Sequence, residues 1–250
     1  MNEDTQEKNN TAGHYHPMTK IMHRVVEVFD DMGFDIFQIP ELDTEEFNFD
    51  FLNVPESHPA RDEQDTFWIK DAEKLVARTQ MTSGQIHGAR KYDAPLKTLF
   101  FGKVYRNETT DATHEAVFHQ FECSAIGTDL NLAHMKFTIQ NIITKLFGEG
   151  VTTRLRPGYF PFVEPGVEVD MSCFKCEGKG CRVCKQSGWI EILGAGMLHP
   201  KVLERGGVNP NEHQGYAFAF GWDRIAMLLH EIDDIRLIQS GDLRFVNQFK

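Results

Sequence analysis

The stretch from Arg106 to Glu122 gathers a guanidinium, carboxylates, imidazoles, an aromatic ring and an amide at short spacing. Arg106 is a permanently charged planar fork whose paired N–H donors match two oxygens of a phosphate. Glu108 stands two residues on, and so on the same face of an extended backbone. By the same period of two, Phe118, Gln120 and Glu122 present an aromatic plate, an amide and a carboxylate in a row. A nucleobase can stack on the first, and the other two can bind an ammonium. The pattern therefore suits a nucleotide and an amine held side by side. The Arg-x-Glu spacing alone also describes an ordinary solvated ion pair.

Two other places hold chemistry. Phe160-Pro161-Phe162 puts two rings two residues apart on one strand face, where they could meet a third ring edge to face; taken alone, that pattern better describes a core aromatic pair. Glu164 extends the same face with a carboxylate. Cys173, Cys176, Cys181 and Cys184 form two Cys-x-x-Cys knuckles, with Gly178, Gly180 and Gly188 available for the turns that aim thiolates inward. Such a set suits one tetrahedral, structural Zn²⁺, closed because four thiolates leave no position for a substrate; a redox pair or a site that has lost its metal is the other reading. Cys123 lies apart, in a strand-like run, and reads as a small buried apolar residue.

The elements that must carry these residues follow from pattern. Leu96–Tyr105 and Ala116–Ile126 are rich in aromatic and β-branched types and flank the polar run Asn107–Thr113, which predicts two antiparallel strands joined by a loop. Thr82–Arg90 reads as a short helix, with Thr82 or Ser83 as its cap and as a hydroxyl facing the site. Pro17 opens a helix whose apolar stripe is Ile21, Val25, Phe29 and Met32, with Gly33 after its end; Phe34–Ile39 then alternates as a strand that stops at Pro40. Leu130–Phe147 is a second amphipathic helix, Arg154–Ile192 is a set of short strands interrupted at 173–188, and Gly215–Gly221 is a glycine-bounded strand feeding a helix over Trp222–Leu229.

At 250 residues and 41% hydrophobic the chain suits one large domain with a substantial core. Its net charge of −11 argues against nucleic-acid binding through a bulk basic surface, so any such contact must be local or shared. No apolar run of membrane-spanning length and no secretory leader is legible, so neither a membrane span nor a secretory signal is expected and the cytosol is the expected compartment. Residues 1–13 are polar and are expected to be disordered.

Arg106–Glu122 resembles motif 2 of class II aminoacyl-tRNA synthetases, and its wording, Thr110-Asp111-Ala112-Thr113-His114-Glu115 then Phe118-His119-Gln120 and Glu122, is similar to the α subunit of phenylalanyl-tRNA synthetase. The helix, Gly33, strand and Pro40 resemble motif 1, which in the family forms a subunit interface, and Gly215–Arg224 resembles motif 3. His58–Asp62, Asp65–Ile69, Phe160–Gly166, Gly194–Pro200 and Asp242–Phe249 also look like this subunit, so the resemblance spans about residues 14–250. No counterpart of the coiled-coil arm that such α subunits use on tRNA is expected within these 250 residues.

The resemblance implies an α+β fold, a mainly antiparallel sheet flanked by helices, and one catalytic domain over 14–250 with the cysteine excursion at 173–188. It implies a phenylalanine–tRNA ligase α subunit that forms phenylalanyl-adenylate from ATP and L-phenylalanine and passes the acyl group to tRNA(Phe), within an α2β2 heterotetramer whose β subunit supplies editing. By it Arg106 and Arg224 are catalytic, and Arg106, Glu108, His114, Phe118 and Arg224 bind ATP, with Phe118 and Arg224 stacking on opposite faces of the adenine. Gln80, Thr82, Ser83, Gln120, Glu122, Phe160, Phe162 and Ala217 bind phenylalanine, and Glu164 is a Mg²⁺ ligand. Ala219 stands where the family has glycine; a methyl there is harmless if it faces away from nucleotide. A catalytically idle paralogue serving as a binding module is the competing reading, but it would be expected to lose Arg106, Glu164 or Arg224, and all three are present.

Overall fold

A computed structural model describes residues 13–61 and 66–250; expectations for residues 1–12, Asp62 and Asp65 fall outside them. Helix α1 (Pro17–Asp30) opens with Pro17 in its first turn, where the missing N–H costs nothing, and His16 Nδ1 accepts from Met18 N. Strand β1 covers only Asp35–Ile36, paired in parallel with the next long strand. The expected strand over Phe34–Ile39 is thus cut short: its backbone follows its neighbour through Phe37 N to Leu99 O and then turns at Ile39–Pro40. Two short strands, β2 (Leu42–Thr44) and β3 (Leu75–Ala77), form a separate antiparallel pair.

The chain continues with α2 (Ser83–Lys91), β4 (Leu96–Tyr105), β5 (Val117–Gly127), α3 (Leu132–Phe147), β6 (Thr153–Pro157), β7 (Val163–Ser172), β8 (Trp189–Leu198), α4 (Pro200–Arg205), β9 (Gln214–Gly221) and α5 (Trp222–His230). The short helices α6 (Arg236–Gln239) and α7 (Leu243–Val246) close the fold. The main sheet has seven strands in the order β1-β4-β5-β9-β8-β7-β6, all antiparallel except β1 against β4. This is the α+β arrangement expected from sequence. Both ends of α3 have a local cause: Asn131 Oδ1 accepts from Ala133 N and His134 N, and Gly148 takes a positive φ after the last turn.

The two faces of the sheet differ in kind. On one, Phe121, Cys123 and Ala125 of β5, Tyr216, Phe218 and Phe220 of β9, and Ile190 and Ile192 of β8 are buried with the apolar stripes of α1, α3 and α5 in the main core. On the other face small and polar side chains run across the strands. Register places Phe100, Glu122, Ala219, Gly194 and Glu168 in one row, and Thr98, Ser124, Ala217, Gly196 and Gly166 in the next. Large residues on that face would fill the space above β8 and β9; alanine and glycine leave it open.

Candidate active site

That open space is a cavity of about 690 Å³. Its floor is β5, β9 and β8. Its walls are the start of α2, the chain around Phe160–Phe162 and the residue that follows β4. Of the residues expected to bind substrates, Gln80, Thr82, Arg106, Glu108, Gln120, Glu122, Phe160, Phe162, Ala217 and Arg224 line this one cavity. Ser83, His114, Phe118 and Glu164 are not among its lining residues.

At one end Glu122 is 1% exposed. It accepts from Thr82 Oγ1 at 2.8 Å and from Gln85 Nε2 at 2.7 Å. Burial dominates these two hydrogen bonds and pushes its carboxyl up to about 7. The Thr82 hydroxyl is therefore committed to Glu122 and makes no cap hydrogen bond for α2, contrary to the expectation that Thr82 or Ser83 caps that helix. Ser83 Oγ is buried with no partner among the described residues. Gln120 Oε1 accepts from Met81 N at 2.9 Å, which orients the amide so that its NH₂ is the group left for a ligand.

Beside Glu122 lies the aromatic end. Phe160 and Phe162 have ring centroids 5.9 Å apart at 25° and pack with Ala217 in one apolar cluster. They are not on a strand, as their spacing suggested: β7 begins at Val163, and the chain at Pro161–Phe162 is a turn closed by a bridge between Phe160 and Val163. A Cβ built on Gly194 would lie 2.9 Å from Phe160 Cζ, so the absence of a side chain on β8 is what lets that ring lie over the floor. Glu164 departs from the face expected of it: its side chain is 76% exposed, with Oε2 3.6 Å from His199 Nε2.

At the opposite end Arg106 donates from Nε to Thr79 O at 3.2 Å, its Nη1 lies 3.9 Å from Glu108, and its guanidinium sits 5.0 Å from the Phe118 ring centre. Phe118 thus carries a guanidinium on its face, and that guanidinium is Arg106, the nearer of the two arginines expected around a nucleotide. Arg224 lies on the first turn of α5 next to Asp223, which is buried and accepts from His119 N at 2.5 Å, tying that turn to β5. His114 lies out on the 107–116 connection, where Asp111 accepts from His114 N at 2.8 Å. The N–H and side-chain donors of Thr113 and His114 hold the Asp111 carboxyl well below the usual range.

Several cleft residues escaped the sequence pattern. Gln85 lies three residues past Thr82, one helical turn, and that spacing was a usable signal. Glu168 and Glu191 also line the cleft, bridged by Arg156 through contacts of 2.8 and 3.0 Å; they belong to no motif, and only sheet register brings them together. Ala219, expected to be harmless if turned away from nucleotide, lines the cleft in the row between Glu122 and Gly194, so its methyl is part of the floor.

The four cysteines lie in the excursion between β7 and β8. Their sulfurs all fall within 4.8 Å of one another, with Cys173–Cys181 at 3.7 Å and Cys176–Cys184 at 3.8 Å. Four sulfurs at Zn–S bonds of about 2.3 Å around a tetrahedral ion stand about 3.8 Å apart, so the cluster has the right size. Backbone N–H groups of Gly180, Cys181 and Gly188 donate to the Cys176 and Cys184 sulfurs. Burial alone would raise the Cys184 thiol; these donors and the neighbouring thiols bring it down to about 6. Gly188 has a φ of +76° and packs against Gly178 backbone too closely for any side chain.

An antiparallel sheet with helices on one face, and on the other a cleft lined by two arginines and a buried carboxylate, is the arrangement of a class II tRNA synthetase catalytic core. The family model for tRNA synthetases class II core domain (F) matches residues 1–249. Among solved structures, the pyrrolysyl-tRNA synthetase of Desulfitobacterium hafniense shares the fold with a TM-score of 0.72 at 15% identity, over 95% of this chain and 77% of that one. The chain belongs to the phenylalanine–tRNA ligase alpha subunit family. It is 49% identical to the Ligilactobacillus salivarius alpha subunit over 96% of its length and 69% of the relative's, and 46% identical to that of Clostridium perfringens over 97% and 71%. The Streptococcus thermophilus alpha subunit is 48% identical over 95% and 69%.

Proposed function

We infer that the chain activates L-phenylalanine with ATP and, together with a β subunit, transfers the phenylalanyl group to tRNA(Phe). The observation that carries this reading is the union in one cavity of a buried carboxylate, Glu122, with the paired rings of Phe160 and Phe162 over Ala217, while Arg106 and Arg224 line the same cavity. An idle paralogue would have no need to keep an ionisable carboxyl dry beside an aromatic pocket, at a cost in stability.

In this mechanism the benzyl group enters between the two rings and Ala217. Its ammonium is held by Glu122, which Thr82 and Gln85 keep in place. The Gln120 NH₂ is better suited to an oxygen of the substrate than to its ammonium, a change from the role expected for it. The substrate carboxylate attacks the α-phosphorus; one P–O bond forms as the bond to pyrophosphate breaks, and no side chain need exchange a proton. Arg106 and Arg224 offset the charge that develops on phosphate oxygens, so positioning and electrostatics carry the step.

A Mg²⁺ accompanying ATP would neutralise charge on the phosphates; Glu168 and Glu191 also line the cavity, but they lie on β7 and β8, away from the nucleotide end, and are paired with Arg156. Glu164 lies at the rim, where a Mg²⁺ held by it would take its remaining ligands from water or from a partner subunit. The cysteine cluster would hold one structural Zn²⁺. The assembly is an α2β2 heterotetramer in this reading, with Gly33–Pro40 and α1 as the interface side. The deciding experiment is ATP–pyrophosphate exchange by the chain co-expressed with its β subunit: exchange that requires phenylalanine supports the reading, and exchange indifferent to it refutes the reading.

A further inference from the structure

Among the described residues, the aromatic side chain of Tyr159 in the cleft has no ring or hydrogen-bond partner. Tyr159 lines the cavity, yet it is 84% exposed, the largest exposure of any large hydrophobic side chain among the described residues. Its ring packs on no other ring, and its hydroxyl has no hydrogen-bond partner among the described residues. Its immediate neighbour Phe160 packs into the apolar cluster with Ala217. Arg156, three residues earlier, is clamped by Glu168, Asp170 and Glu191. Gly158 has its Cβ position 3.1 Å from Glu168, so the backbone lies against β7. The residues around Tyr159 are thus fixed on both sides while its own ring projects over the mouth. An exposed aromatic plate on a fixed backbone loses little entropy when something stacks on it.

What would stack there follows from the order of strands. The nucleotide end of the cleft belongs to β5 and α5, through Phe118, Arg106 and Arg224, whereas Tyr159 stands beside β7. Between them lie β9 and β8, three strand spacings or about 14 Å, with the phenylalanine pocket on the way. The adenine of ATP at the first end therefore leaves the Tyr159 plate unused. After activation, a second nucleic-acid substrate must bring its terminal ribose to the phenylalanyl carbonyl from the open side. A single-stranded end with no paired neighbour offers one free π face to a protein, its last base. We propose that Tyr159 is the stacking plate for the 3′-terminal base of the tRNA and so orients the terminal ribose for acyl transfer. The proposal rests on the synthetase reading above. It assigns Tyr159 to the second step alone.

The test uses the chain assembled with its β subunit and compares wild type, Tyr159→Phe and Tyr159→Ala. ATP–pyrophosphate exchange reads activation; single-turnover transfer from preformed phenylalanyl-adenylate, at subsaturating tRNA, reads the second step. The tRNA is used intact and with its 3′-terminal nucleotide abasic. Base–aromatic stacking corresponds to a loss of roughly 5- to 150-fold, and that loss is expected in transfer for Tyr159→Ala. Exchange should stay within about twofold, Tyr159→Phe should transfer like wild type, and the alanine penalty should vanish on the abasic tRNA. Unchanged transfer, an equal fall in exchange, a penalty that persists on abasic tRNA, or loss of β-subunit co-purification by Tyr159→Ala would each overturn the proposal. Wild type lacking phenylalanine-dependent exchange would overturn the underlying reading and the proposal with it.

Discussion

Glu122→Gln separates binding from stability in a way that few substitutions do. The carboxylate is buried, and burial raises it from 4.5 to about 7. A carboxyl whose folded value is raised helps the fold at low pH and loses that help as pH climbs from the unfolded value through the folded one. Between pH 4.5 and 7 the empty protein therefore gives up about 3 kcal/mol at this site. Glutamine keeps the shape and removes the charge, and the Thr82 hydroxyl can turn from donor to acceptor. At pH 8 the variant should unfold later than wild type by up to about that amount, and near pH 4.5 the two should coincide. Binding should move the opposite way: a hydrogen-bonded ammonium–carboxylate contact contributes about 1.5–3 kcal/mol. The phenylalanine KM at pH 8 should thus rise roughly 10- to 150-fold, with the ATP KM unchanged. In wild type the same KM should rise as pH falls below about 7, because a protonated Glu122 must first release its proton. Denaturant melts across pH, with exchange kinetics alongside, measure both. A variant that is less stable at pH 8, or that loses ATP and phenylalanine affinity equally, would refute the reasoning.

Three further outcomes are expected. Gly194→Ala places a methyl against the Phe160 ring and should raise the phenylalanine KM by roughly tenfold through misplaced packing while leaving the ATP KM alone, as read by exchange kinetics. Ala217→Gly enlarges the floor beside the two rings and should improve para-substituted phenylalanines relative to phenylalanine by roughly 10- to 100-fold; unchanged discrimination would contradict the pocket. Elemental analysis should find one Zn²⁺ per chain, and chelation should lower the thermal midpoint. No zinc, with all four thiols titratable in the folded protein, would contradict the metal site.

The strands and helices under the site were legible because each carries one dominant periodicity: Leu96–Tyr105 was bounded to the residue, and α3 and α5 within two. The alternation that put Gln120 and Glu122 on one face also held. Spacing misled where backbone turns replaced extension. Phe160 and Phe162 converge across a turn at Pro161, and Glu164 consequently faces out rather than in. Local pattern also cannot say which of two partners a hydroxyl chooses. Thr82 reads as a cap, yet the buried carboxylate forty residues away is the stronger claimant. Glu168, Glu191 and the reason for Gly194 within its family-like segment were not legible for a third reason: their meaning lies in the cross-strand row, and no single segment contains that register.

The central claim is that one cleft holds phenylalanine and nucleotide in contact. Its most direct test is a crystal structure of the α–β assembly with a non-hydrolysable phenylalanyl-adenylate analogue. The benzyl ring is expected against Phe160, Phe162 and Ala217, the ammonium on Glu122, and the phosphate mimic within reach of Arg106. An analogue bound with its ammonium away from Glu122, or with its benzyl and adenine groups in separate cavities, would contradict the claim.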